Sequence, residues 1–266
     1  AKYKIALSGT PVENNLSELW SIFDFALPKY LKSLKDFQNI YAKDIEIHKD
    51  TQKIEKLKKI TAPFMLRRLK TNKDIICDLP DKIIIDEYAT MSKEQASLYK
   101  SVLDDTMKQM DQKDSKGLIF KLLIALKQIC NHPRNFDKAS DSNPTLSGKT
   151  QLLLTLLDSI MLQDEKVLIF TQYTQMADIL VEVIEKELFT KPLLLKGDMT
   201  KTQREDVVEK FQSDNRFKIF ILSLKAGGVG LNLTAANHVI HYDLWFNPAV
   251  ENQATDRAFR IGQTKK

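Results

Sequence analysis

Gln253, Asp256, Arg257 and Arg260 stand at i, i+3, i+4 and i+7, a spacing that would put all four on one face of a helix. A guanidinium gives two parallel hydrogen bonds to phosphate oxygens, so two arginines and a glutamine in one stripe suit an anionic, forked ligand. Alone, such a row is more often a solvated or salt-bridged face. The residues just ahead reverse that balance. An apolar run, Ile219 to Leu222, enters a loop holding Gly227, Gly228 and Gly230, three of the eight glycines in the chain, and glycine lets backbone N–H groups come close to a ligand. Asn247 and Pro248 then supply the cap and first position of a helix predicted over 248–260.

The runs SLKAGGVGLNL and DLWFNPAVENQATDRAFRIGQ resemble motifs V and VI of the SWI/SNF-type ATPases, a branch of helicase superfamily two whose members use ATP to move along double-stranded DNA. The resemblance implies a two-lobed motor with ATP in the cleft, Arg257 and Arg260 as arginine fingers on its phosphates, and Gly228, Gly230 and Gln253 beside the nucleotide. Ser8-Gly9-Thr10-Pro11, followed by ENNLSELWSIFDFALP, resembles motif III, which implies a coupling role for Ser8, Gly9, Thr10 and Pro11 and no chemistry. VLIFTQYTQ resembles motif IV, PFMLRRLK a family hallmark, and KLLIALKQICNHP the family's helical insertion. Where the family has Asp-Gly after the third strand this chain has Lys196-Gly197, which puts a DNA role for Lys196 in doubt. Arg67 and Arg68 suit DNA phosphate, the neighbouring lobe or salt bridges equally well.

A second expectation concerns DNA. Backbone N–H groups from Ala226 to Gly228, with Lys225, Thr171 and Gln172, would hold the phosphates of one strand, which positions DNA without reading its bases.

The elements that must carry these groups alternate. Strands are predicted at Lys166–Phe170, Leu193–Leu195, Phe217–Leu222 and His238–Tyr242, with helices over 174–188 and 201–212 between them. Short apolar strands separated by such helices indicate a parallel sheet with helices on both faces, the RecA-like α/β class, whose ligands gather at the carboxyl ends of the strands. Residues 1–78 are expected to be the tail of a first lobe and 79–266 a second lobe with a helical insertion at about 92–145. Tyr3–Leu7 and Lys82–Tyr88 read as strands, and Leu16–Phe25, 43–60, 92–112 and 117–130 as helices. Ser147-Gly148-Lys149-Thr150 has the tail of a phosphate-binding loop, but position 143, where the first glycine belongs, is Asn143, and no apolar strand leads in. It reads as a helix start.

Lys and Arg total 40 against 35 Asp and Glu, a net +5 that neither demands nor excludes nucleic acid. Residues 43–74 carry ten basic and five acidic side chains, an excess equal to that of the whole chain. No run approaches the roughly 20 apolar residues needed to span a bilayer, and the first residues are no signal peptide. An intracellular location follows, cytoplasm or nucleoid in a prokaryote and nucleus in a eukaryote. Cys77 and Cys130 lack metal-ligand spacing, and no metal ligand is assigned among this chain's residues.

Phosphoryl transfer also needs a phosphate-binding loop and carboxylates for Mg²⁺. The sequence contains no G-x-x-x-x-G-K-[ST], and no Asp-Glu box for the metal is assigned in it, so ATP with Mg²⁺ would depend on the rest of the first lobe, upstream of Tyr3, and this part alone is expected to be inactive. Double-stranded DNA and protein–DNA complexes are the expected partners. Two other readings stay open: a strand-separating superfamily-two helicase, and a non-catalytic module that binds nucleic acid or protein.

Overall fold

The computed structural model describes residues 2–68, 82–110, 116–224 and 231–260. It divides into two compact units, Ala1–Cys77 with Asn247–Gln253, and Asp78–Phe246 with Ala254–Lys266.

In the first unit, helix α1 (Leu16–Ala26) begins where the Asn15 side chain accepts from the Ser17 amide at 3.0 Å. Glu18 accepts from the amides of Glu13 at 2.6 Å and Asn14 at 3.1 Å, and the first of these bonds does most to hold its carboxyl below the usual range. Leu19 and Phe23 of α1 bury against Leu31 of the following turn, Phe37 of α2 (Leu34–Phe37), Ala42 of a π-helical turn (Gln38–Ala42) and Leu57 of α4 (Thr51–Thr61). The lysine-rich stretch predicted as one helix is two, because α3 (Lys43–Glu46) stops short of Asp50. The Asp50 carboxylate accepts from the amides of Gln52 at 2.9 Å and Lys53 at 3.1 Å and so starts α4 afresh.

The second unit opens with α5 (Lys93–Met110), α6 (Lys116–Asn131), α7 (Pro133–Phe136) and α8 (Gly148–Leu162). There follow β1 (Val167–Thr171), α9 (Thr174–Leu188), β2 (Leu193–Leu195), α10 (Lys201–Ser213), β3 (Ile219–Ser223) and β4 (His238–His241). The sheet runs β2-β3-β1-β4 with every pair parallel, Val167 lying beside Ile219 on one side and His238 on the other. Val167, Ile169, Ile219 and Ile221 pack with Leu153 and Leu157 of α8 and Met176, Leu180 and Ile184 of α9. Alternation sends Phe220 to the opposite face, where its ring meets Phe211 of α10 at 5.1 Å. Both faces are therefore covered, and each such Leu, Ile or Phe contributes about 1.5–3 kcal/mol by leaving water.

Ser147 caps α8 by accepting from the Thr150 amide at 3.2 Å, so the phosphate-loop look-alike is a helix start. Gln95, fully buried, donates to the Ile129 carbonyl at 2.8 Å and accepts from the Gly148 amide at 3.1 Å, which joins α5, α6 and α8.

Three predicted elements differ. Tyr3–Leu7 and 82–88 carry no regular secondary structure and are unpaired among the described residues, with Leu7 94% and Tyr88 89% exposed. Strand propensity makes no sheet without a neighbouring strand to bond the free N–H and C=O groups. Helix α11 (Pro248–Thr255) ends five residues early. The amides of Arg257 and Ala258 reach back only three residues, to Ala254 and Thr255 at 3.0 and 3.1 Å, and the Arg257 carbonyl accepts from the Leu233 amide at 3.0 Å. The chain has tightened into turns whose carbonyl is taken by an outside donor.

Candidate functional site

The carboxyl ends of the parallel strands gather the second unit's polar groups. At the end of β4, Asp243 is 2% exposed and accepts three hydrogen bonds: from the Thr171 hydroxyl at 2.5 Å, the Gln172 amide at 2.9 Å and the Asn131 side chain at 3.1 Å. Asn131, the last residue of α6, in turn accepts from Lys149 Nζ at 3.0 Å. Burial lowers the Lys149 ammonium below its ordinary range, and the nearby Asp243 charge acts in the opposite direction. The Leu244 carbonyl accepts from Lys127 at 2.7 Å and from the Gln172 side chain at 3.2 Å, and the Lys127 ammonium sits 4.1 Å from the Phe246 ring centroid.

At the last residue of β4, His241 shares a 2.8 Å hydrogen bond with the Thr255 hydroxyl and stacks on Phe170 at 5.6 Å. Burial, with the neighbouring Lys82 charge, pushes its imidazole down to about 4. Two residues past Thr255 comes Arg257. The strand end thus touches both the β1 terminus and the arginine turn.

The predicted site residues are placed unevenly. Arg257 is buried, 6% exposed, and burial followed by the Arg260 charge lowers its guanidinium from the ordinary range. Arg260 is half-buried, with Nε donating to the Asp256 carbonyl at 3.1 Å. The expected four-residue helical stripe is corrected accordingly: Gln253 lies on α11, whereas Asp256, Arg257 and Arg260 lie in the turns beyond it. Thr171 is fully buried and its hydroxyl is committed to Asp243, so of the motif IV pair only the half-buried Gln172 reaches the surface. Ser8, Gly9, Thr10 and Pro11 form a loop of the first unit in which the Thr10 amide donates to the Ser8 hydroxyl at 3.1 Å. Lys196 is ion-paired with Asp178, which occupies the charge a phosphate would want. Lys225, Ala226, Gly227, Gly228 and Gly230 lie outside the described residues.

Sequence reasoning missed Asp243 and Asn131 and gave Lys149 no partner. One signal was available: Asp243 directly follows an apolar strand, where an acidic side chain is costly unless it is bonded.

A parallel sheet covered on both faces, with its polar residues at the strand ends, is the RecA-like α/β architecture. The sequence matches the SNF2-related domain over residues 1–135 and the helicase conserved C-terminal domain over 148–262. The chain belongs to the SNF2 family of superfamily-two helicase-type proteins. It is 48% identical over 269 residues to the Bacillus subtilis protein YwqA, covering 99% of this chain and 29% of that one. It is 39% identical to the human SWI/SNF-related matrix-associated actin-dependent regulator of chromatin subfamily A member 1, covering 98% of this chain and 26% of that protein. Among solved structures, the Sulfolobus solfataricus SWI2/SNF2 ATPase core in complex with dsDNA is similar at 41% identity and a TM-score of 0.63, over 99% of this chain and 56% of that one. The chain therefore spans less than a third of the length of these two relatives. Among the described residues no helix is long and apolar enough to cross a membrane.

Proposed function

We propose that this chain is the carboxyl-terminal part, from motif III to motif VI, of a motor that hydrolyses ATP to translocate on double-stranded DNA and remodel protein–DNA complexes inside the cell. Residues 1–78 would be the tail of the first lobe, with Ser8 through Pro11 coupling the lobes, and 79–266 the second lobe. The observation that carries the reading is the anchoring of the arginine turn, through the Thr255 hydroxyl on His241 of β4 and the Arg257 carbonyl on the Leu233 amide ahead of β4, in the same unit that presents Gln172. The similar solved core, which was obtained with dsDNA, supports the choice of DNA.

In this reading Arg260, the more exposed of the pair, meets the ATP phosphates first, and Arg257 becomes available as the surrounding turns move. Both would stabilise charge that develops on the phosphoryl oxygens, with Gln253 and the Gly228–Gly230 backbone completing the contacts. Arginine fingers are worth about 10³–10⁵ in rate, about 4–7 kcal/mol of barrier. ATP supplies the phosphoryl group and the driving force. The described residues do not fit Mg²⁺: they contain no group of three His, Cys, Asp or Glu able to hold a metal, and Asp243 is already engaged by three internal donors. The metal carboxylates and the phosphate loop would come from the remainder of the full-length protein.

DNA-stimulated ATPase and translocation assays on the full-length protein test the reading. ATP turnover raised by duplex DNA without strand separation supports it. Efficient unwinding would favour the helicase reading, and no stimulation would favour a binding module.

A further inference from the structure

The Ser-Gly-Lys segment that mimics a phosphate loop starts α8, and its lysine is held half-buried against Asn131. Its Nζ donates to Asn131 Oδ1, and Asn131 Nδ2 donates to Asp243. Lys149 thereby supplies the counter-charge for a carboxylate that is 2% exposed. Such a carboxylate is stable only with its oxygens bonded, and each of Asp243's oxygens is used: Oδ1 holds the Gln172 amide, and Oδ2 holds the Thr171 hydroxyl and Asn131.

These bonds converge at one place. Asp243 fixes the backbone of Gln172 just past the end of β1, while two residues before Asp243 the last residue of β4, His241, holds Thr255, at the entry to the arginine turn. A displacement of Gln172 cannot leave Asp243 in place unless the bond breaks, and a displacement of Asp243 shifts the β4 terminus on which Thr255 rests. Packed interiors transmit such shifts because they have little room to absorb them.

We propose that Asp243, charge-balanced by Lys149 through Asn131, is a positioning residue that mechanically joins the Gln172 surface to the Arg257–Arg260 turn, so that DNA held at the first sets the arginines at the second. The inference rests on the motor reading. Asp243 touches neither DNA nor nucleotide in this scheme; it couples the groups that do.

The test is Asp243→Asn in the full-length protein, an isosteric change that turns one acceptor into a donor facing its partners. Turnover is measured with and without duplex DNA, together with the KM for ATP and the melting temperature. We expect basal turnover and KM within about twofold of wild type and the ratio of stimulated to basal turnover lowered about tenfold, inside the 5–150-fold typical of coupling between sites. A purely structural role would lower both rates in proportion and leave the ratio untouched; that result overturns the inference. Lys149→Met, which keeps the stem and removes the counter-charge, is read in the same way and decides the matter if Asp243→Asn does not fold. Wild-type protein without any DNA stimulation would remove the motor reading and this inference together, whereas stimulated wild type with unaltered variants removes only the inference.

Discussion

The Thr171 hydroxyl donates to the buried Asp243 carboxylate at 2.5 Å, linking the ends of β1 and β4, 72 residues apart in the chain. A hydrogen bond to a charged group contributes about 1.5–3 kcal/mol, and its loss leaves that charge short of one donor. Thr171→Val, which conserves shape and removes only the hydroxyl, should therefore destabilise the fold by about 1.5–3 kcal/mol. Urea denaturation checks this, and an unchanged midpoint and slope would show that the bond contributes nothing net.

Gly148→Ala should be more damaging than its size suggests. A Cβ there would sit 1.7 Å from the Thr90 carbonyl oxygen, a backbone atom that cannot rotate aside. Overpacking of this kind costs about 1–3 kcal/mol when the surroundings adjust and more when they do not. A melting temperature lowered by several degrees is the expected outcome, and Thr145→Ala, in the exposed turn nearby, serves as the control.

Acid should weaken the second unit. His241 is pushed down to about 4 from an ordinary 6.5, first by burial, then by Lys82, against the opposing Asp243 charge. The unfolded chain takes up its proton as pH falls through about 6.5 while the folded chain resists until about 4, so this stability is complete above the unfolded value and is lost between the two, roughly 3 kcal/mol in all. Buried His132 is also lowered, chiefly by burial, and acts in the same direction. Stability measured at pH 7.5 and at pH 4.5 should show the loss, and His241→Gln should reduce it. Equal acid sensitivity in that variant would assign the loss elsewhere.

DNA binding by the full-length protein should be sequence-independent and steeply salt-dependent. A protein making about six phosphate contacts loses about 10³ in affinity between 50 and 200 mM salt. Gln172→Ala should weaken binding by a similar factor on every duplex. Affinity that holds constant across that salt range would argue against a phosphate-tracking surface.

The second unit's sheet was legible because VLIF, LLL, IFIL and HVIH are short apolar runs separated by amphipathic stretches, a pattern in which local propensity and tertiary burial agree. The Ser147 cap was legible for the same local reason. Tyr3–Leu7 and 82–88 satisfied propensity but have no strand to pair with among the described residues. The end of α11 was hidden because apolar spacing continues past Thr255, whereas the stop comes from Leu233 taking the Arg257 carbonyl, a contact between residues 24 positions apart. Asp243 escaped notice on the same ground. Its partners Asn131 and Thr171 lie 112 and 72 residues away, and no window on the sequence contains them together.

The central claim is that the turn after α11 delivers guanidinium groups to the phosphates of ATP. The most direct measurement is steady-state ATPase of full-length Arg260→Ala and Arg257→Ala with saturating duplex DNA, alongside DNA affinity and melting temperature. The account predicts turnover lowered by about 10³ or more in each variant, with DNA affinity and the Arg260→Ala melting temperature close to wild type. Turnover within a few-fold of wild type in a folded Arg260→Ala protein would contradict it.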